Sequence, residues 1–146
     1  MSERPVLRVK RLRPDARLPQ RATTSATGFD LYACLEGGSL EVGEEPVLVP
    51  TGIAIEAPPG FDAQVRPRSG LSAQGVMVVF GTIDPDYRGE VLVTMYALPY
   101  RGPHTVSHGE RIAQLAISQV AHLAVEEAAE LSPTQRGEGG HGSTGA

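Results

Sequence analysis

Short apolar runs closed by glycine or proline constrain this chain more than any other feature. Residues 76–80 carry no charge and lie between Gly75 and Gly81, and residues 91–98 form a similar run that ends at Pro99. Runs of this length, rich in β-branched residues and bounded by breakers, predict strands buried on both faces. The 17 Gly and 12 Pro make about one residue in five a breaker, against roughly one in eight in an average protein. Hydrophobic residues are 40% of the chain, too many for disorder, so the excess means turns. Many turns between short strands predict an all-β domain. A chain of 146 residues fits one domain whose core needs no disulfide, and Cys34 is alone, which predicts a buried thiol in a reducing, cytoplasmic setting. The net charge of −4 argues against non-specific binding to nucleic acid or an anionic membrane. An anionic ligand would therefore need locally placed arginines. No apolar leader opens the chain and no uncharged run approaches membrane-spanning length, so neither a signal peptide nor a membrane span is expected.

Along the chain, Leu7 and Val9 alternate with Arg8 and Lys10, the pattern of a half-buried strand ending near Pro14. The basic cluster Lys10, Arg11, Arg13 and Arg17 reads as a solvated strand face. Phe29, Leu31 and Ala33 alternate with Asp30 and Tyr32, which sets Asp30 opposite the apolar face, to satisfy backbone donors or to face a site. Residues 36–46 read as a loop. Residues 47–56 read as two short strands around a Pro50-Thr51-Gly52 turn. Arg66 and Arg68 sit two apart on an extended segment and point the same way. Ser69 and Gly70 follow with a hydroxyl and unhindered amides, and a helical turn begins there and ends at Gly75. The arginines, hydroxyl and amides suit phosphate oxygens as well as an ordinary capped turn. His104 and His108 read as a loop pair rather than metal ligands. Gln114, polar within an apolar strand, is expected to be hydrogen-bonded or to face a cavity. Residues 121–131 fit a short helix or an extended segment. The tail from Thr134 has the spacing of a glycine-rich phosphate loop but neither a following helix nor a lysine. It reads as a flexible arm carrying Arg136, Ser143 and Thr144.

Residues 81–90 hold three carboxylates, a phenol and a guanidinium between two β-favouring runs. Taken alone this is a hairpin-like connection, equally readable as a solvated acidic turn.

Five separated segments, 26–33, 66–71, 81–91, 109–115 and 136–145, together resemble the motifs of the homotrimeric dUTP pyrophosphatases (dUTPases), in their order and spacing and over nearly the whole chain. The resemblance implies a jelly-roll-like β-sandwich or barrel subunit over residues 1–132, with a glycine-rich arm over 133–146 that closes on the ligand. Three subunits would share active sites at their interfaces. It implies Mg²⁺-assisted hydrolysis of dUTP to dUMP and pyrophosphate, which keeps uracil out of DNA and supplies dUMP for thymidylate synthesis. By position, Asp84 matches the acid that activates water. Arg68, Ser69, Gly70, Gln114, Arg136, Ser143 and Thr144 match phosphate ligands. Gly81, Thr82, Ile83, Tyr87 and His141 match contacts to deoxyuridine, Tyr87 excluding a 2′-hydroxyl. Asp30 matches an acid that holds the metal through a water. Two positions depart from the family pattern. His141 replaces the usual stacking Phe, which weakens arm closure through its smaller area. Val78 replaces a frequent Asn, which leaves base recognition to the backbone. A dCTP deaminase of the same fold and a non-catalytic nucleotide-binding trimer are the alternative readings.

Overall fold

Alternation decides the architecture. Leu31, Val65, Val93 and Leu115 are buried while their chain neighbours Asp30, Arg66, Thr94 and Gln114 are only half-buried, the signature of strands with one face on a core. The structure, a computed structural model, describes residues 3–142. Its strands are β1 (Arg8–Arg11), β2 (Phe29–Tyr32), β3 (Ser39–Val42), β4 (Val47–Glu56), β5 (Phe61–Arg66), β6 (Val76–Val78), β7 (Gly81–Ile83), β8 (Glu90–Ala97), β9 (His104–Ser107) and β10 (Arg111–Gln119). One helical turn, α1 (Ser69–Ala73), lies between β5 and β6, and a 3₁₀ turn spans Pro99–Arg101. One sheet has the order β1-β4-β8-β6, a second β2-β10-β5-β7, and β3 pairs with β9 apart from both. All named pairs are antiparallel.

Two four-stranded sheets enclosing one apolar core make a jelly-roll-like all-β subunit. Val49, Ile53, Val91, Val93 and Met95 of the first sheet meet Leu31, Val65, Ala113 and Leu115 of the second in that core, with Val42 and Val106 of the small sheet. Each such aliphatic side chain contributes about 1.5–3 kcal/mol when fully buried. Among the described residues no helix is long and apolar enough to cross a membrane.

Four local expectations need correction. Residues 76–80 and 91–98 are not buried on both faces. Val76, Val78, Val91, Val93, Met95 and Ala97 point inward, while Val79, Phe80 and Leu92 are exposed, because antiparallel strands at the surface of one subunit cover only one side. Residues 47–56 form one strand rather than two. A bulge between Pro50 and Ala54 absorbs the expected turn, and Gly52 takes φ +71° there. Within 36–46, residues Ser39–Val42 pair with His104–Ser107, an alternation of Leu40 and Val42 that the surrounding Gly and Glu obscured. Residues 121–131 form no helix; Leu123 and Val125 are exposed and have no apolar face to pack on.

The connection at 81–90 is also more than a hairpin. β6 does pair with β8, but the chain between them crosses to the other sheet, where β7 pairs with β5. That crossing places the acidic loop at one rim of the sandwich.

Candidate active site

The loop that follows β7 is held by its own backbone and side chains. The Tyr87 amide donates to Asp84 O (3.0 Å), and Arg88 Nη1 donates to Pro85 O (2.6 Å) and Tyr87 O (3.1 Å). Arg88 also pairs with Glu56 across the sandwich rim (3.1 Å). The Tyr87 hydroxyl donates to Glu90 O at 3.0 Å, and its ring lies over Gly89, where any Cβ would collide with the phenol. Val65, Gly81, Thr82, Ile83, Asp84, Tyr87, Glu90, Val91 and Leu92 line a cavity of about 230 Å³, roomy enough for a planar heterocycle but below the range of drug-sized sites. Among the described residues the Asp84 carboxylate has no hydrogen-bond or ion-pair partner. Glu90, by contrast, is tied to Arg13 Nη2 (3.0 Å) and to the Gly52 amide (2.8 Å). Asp86 does not line the cavity. Asp84 is therefore the uncommitted base at this wall.

A second group gathers on the outer face of the sheet that holds β7, around β2 and β10. Asp30 lies opposite Gln114 in register, and its carboxylate sits 3.7 Å from Arg68 Nε and 3.6 Å from Arg111 Nη1. Arg68 Nη1 donates to Arg111 O (3.1 Å), and Gln114 Nε2 donates to Pro67 O (2.9 Å). Gln114 also fills the space a Cβ would need at Gly28, so one amide joins three segments distant in sequence. The first backbone bond of α1 runs from Ser72 N–H to Arg68 O (3.1 Å), which leaves the Ser69 and Gly70 amides open as donors. Arg66 does not join this cradle. It turns instead toward Gln64 (2.8 Å) and the face of Phe80 (6.0 Å). Arg111 does join it, a residue the sequence reading passed over. Its only signal was its place two residues beyond Gly109 at the start of a strand.

The cradle and the cavity share no residue: β2, with Asp30, stands three strands from β7, while Arg68 follows β5, the direct neighbour of β7. Arg136 bonds within its own segment, Nε to Gly139 O (2.6 Å), and His141 holds φ +51° in a turn. Ser143 and Thr144 lie outside the described residues.

Two of the four histidines, His104 and His108, are committed elsewhere. His104 lies between Arg101 Nη2 (3.3 Å) and Glu110 (3.0 Å); arginine can only donate, so Nδ1 accepts and Nε2–H faces the carboxylate. Asp15, Cys34 and His108 bring ligand atoms within 4.8 Å of one another. The Leu35 amide donates to His108 Nδ1 (3.0 Å), so the neutral ring carries its proton on Nε2, 3.7 Å from Asp15. A metal at Nε2 would have to displace that proton. Within the trio the hydrogen bond runs from Cys34 Sγ to Asp15 Oδ1 (3.5 Å).

An arginine cradle with open amides and a small cavity with an uncommitted carboxylate, both on one all-β fold, suit a ligand that carries phosphate and a planar ring. Comparison with known proteins makes this particular: the family model described as dUTPase matches residues 14–145, and the chain belongs to that family. It is 51% identical over 142 residues to the deoxyuridine 5′-triphosphate nucleotidohydrolase of Hydrogenobaculum sp., covering 95% of this chain and 97% of that protein. It is 48% identical to the enzyme of the same name from Treponema pallidum, covering 90% and 92%. Among solved structures, a variant Staphylococcus bacteriophage 80alpha dUTPase with dUpNHpp superimposes with a TM-score of 0.85 at 25% identity, over 97% of this chain and 99% of that one. A variant dUTPase from phage phi11 of S. aureus, described with a structural Mg(II) ion, has the same fold (TM-score 0.78, 20% identity, 86% and 97% covered).

Proposed function

We infer that this protein hydrolyses dUTP to dUMP and pyrophosphate, with Asp84 taking the proton from the water that attacks the α-phosphorus. The observation that carries the assignment of Asp84 is its free carboxylate on the wall of a cavity whose other side is the β7 backbone. Purified protein with Mg²⁺ should release pyrophosphate from dUTP and hardly at all from dTTP, dCTP or UTP. Absence of pyrophosphate from dUTP overturns the reading.

The residues divide the work. Backbone groups of Gly81, Thr82 and Ile83 read the uracil edge, and the tight turn there excludes a 5-methyl group by steric contact. Tyr87, its hydroxyl already held by Glu90 O, presents its ring to the sugar and excludes a 2′-hydroxyl. Arg68, the Ser69 hydroxyl and the Gly70 amide, with Gln114, bind phosphate oxygens through charge-assisted and neutral hydrogen bonds. A carboxylate alone activates water poorly, so catalysis depends also on drawing charge off the phosphorus. Asp30 fits a hard cation reached through water: it is a carboxylate, and both arginines stand beyond hydrogen-bond length from it, so its oxygens can still accept. Asp30 would hold Mg²⁺ in that way, and the ion when bound neutralises charge on the triphosphate.

The cavity is lined by Asp84 and Glu90 but by no cationic side chain, which supports a site completed by other copies of the chain, in a homotrimer with shared active sites. The exposed Phe80, Leu92, Leu123 and Val125 supply apolar surface for such contacts. Residues 133–146 serve as the arm that closes on bound nucleotide, bringing Arg136, His141, Ser143 and Thr144 to it.

Gly28 gives a separate check on the cradle. A Cβ there would lie 2.3 Å from Gln114 Oε1, forcing the amide off Pro67. Gly28→Ala is expected to cost about 1 kcal/mol of stability, one hydrogen bond's worth, and to raise KM for dUTP more than it lowers kcat. Steady-state kinetics with a thermal melt measure both; an unchanged KM removes Gln114 from substrate binding.

A further inference from the structure

We propose that Arg13 and Glu90 act as positioning residues for Tyr87, and that their ion pair sets how strictly the enzyme separates deoxyribonucleotide from ribonucleotide. The proposal rests on the reading of Tyr87 as the sugar-facing residue and extends it to two side chains that do not meet the sugar.

Glu90 opens β8 at the edge of the cavity and works in two directions. Its backbone carbonyl receives the Tyr87 hydroxyl at 3.0 Å. Its carboxylate accepts from Arg13 Nη2 at 3.0 Å and from the Gly52 amide at 2.8 Å. Both side chains of the pair are mostly shielded, at 29% and 23% exposure for Arg13 and Glu90, so the contact is screened less than an ordinary surface pair. Arg13 is itself fixed: Nε donates to Cys34 Sγ (3.4 Å) and Nη2 to Cys34 O (3.3 Å). The Cys34 contact, with the Glu90 carboxylate behind it, raises the guanidinium above its ordinary pKa against the opposing effect of burial. It stays charged at any working pH. Gly52 cannot yield either, because a Cβ there would lie 2.9 Å from both Cys34 Sγ and Ala16 Cβ, in a backbone conformation of positive φ.

The path from Arg13 to Tyr87 is thus a short series of contacts: guanidinium to carboxylate, carboxylate through one residue to its own carbonyl, carbonyl to phenol. Gly89 completes it by letting the ring lie flat against the backbone. Removing either charge leaves the other without its partner in a shielded place, and the start of β8 loses the tie that fixes its carbonyl. Tyr87 then keeps its ring but not its position, and the gap it guards widens toward a 2′-hydroxyl.

The experiment compares kcat/KM for dUTP and UTP in the intact protein, Arg13→Gln, Glu90→Gln, the double variant and Arg13→Lys, each with a thermal melt. The expected result is that each glutamine variant lowers the dUTP-to-UTP ratio about tenfold, a change of about 1.4 kcal/mol. The double variant should lose no more than either single one, and Arg13→Lys, which keeps a charge for Glu90, should retain most of the discrimination. A fall in melting temperature with an unchanged ratio in both glutamine variants overturns the proposal, since it marks a purely structural pair. Losses that add in the double variant overturn it too. Arg13→Lys keeps the test open where a glutamine variant does not fold: a folded lysine variant whose ratio falls about tenfold below that of the intact protein counts against it, as does a folded Glu90→Gln with an unchanged ratio. The unaltered protein separates the two levels. If it fails to hydrolyse dUTP, the proposed function falls; if it hydrolyses dUTP but Tyr87→Ala leaves the ratio unchanged, the sugar-facing role falls.

Discussion

Asp84→Asn is expected to lower kcat for dUTP by about 10²–10⁴-fold, the usual worth of a positioned general base, while an imido analogue of dUTP still binds within a few fold of its normal affinity. The two parts of this expectation have separate reasons. Asparagine has the shape of aspartate but cannot take a proton from water, so the chemical step loses its base. Binding survives because the carboxylate has no partner among the described residues, and its loss leaves no donor orphaned and no loop released. For the same reason the melting temperature should hardly move. Pyrophosphate release gives kcat, and calorimetric titration with the analogue gives affinity. A variant that keeps kcat within tenfold removes Asp84 from the role of base.

Leu115→Ala should have the largest effect on stability. Leu115 is fully buried in β10, opposite Val65 and Phe29 in its two neighbouring strands, and belongs to the core that joins both sheets. A buried leucine cut to alanine costs about 2–5 kcal/mol, from lost transfer energy plus the cavity left behind. Native domains hold only about 5–15 kcal/mol in total, so the variant should unfold at clearly lower urea. Denaturation at a fixed chain concentration measures it, since apparent stability varies with concentration wherever chains associate. A loss below about 1 kcal/mol would mean that the sheets close over the gap. The neighbouring Gln114 points to the opposite face, so the same strand separates a core effect from a site effect.

The two parts of the site differ in how far sequence exposes them, and the reason is chain distance. Gly81, Thr82, Ile83, Asp84 and Tyr87 are nearly contiguous, and the structure places all five around one cavity. The cradle is assembled from β2, the β5–α1 junction and β10. Asp30, Arg68 and Gln114 stood out because each is polar where a strand or turn would do without it. Arg111 did not stand out, since an arginine at the first position of a strand is ordinary; only pairing with β2 brings it to Asp30. Arg13 was harder still. It lies in a basic cluster that reads as solvated, and nothing local distinguishes it from Lys10 or Arg11. Its partners Cys34 and Glu90 come from segments 21 and 77 residues away. The bulge in β4 was hidden in a similar way, since Pro50 and Gly52 signal a turn to any local rule while their neighbours in β1 and β8 keep the strand going.

The Arg13–Glu90 pair joins positions 77 residues apart, and that span bears on how the protein comes to be folded. Contacts between distant segments must be preceded by closing the chain between them, an entropic cost met before any contact returns it. The floor of the cavity therefore cannot form in a growing chain until β8 has been synthesised, and β10, which joins Asp30 to the cradle, follows later still. The cavity can therefore form in a growing chain before the cradle does.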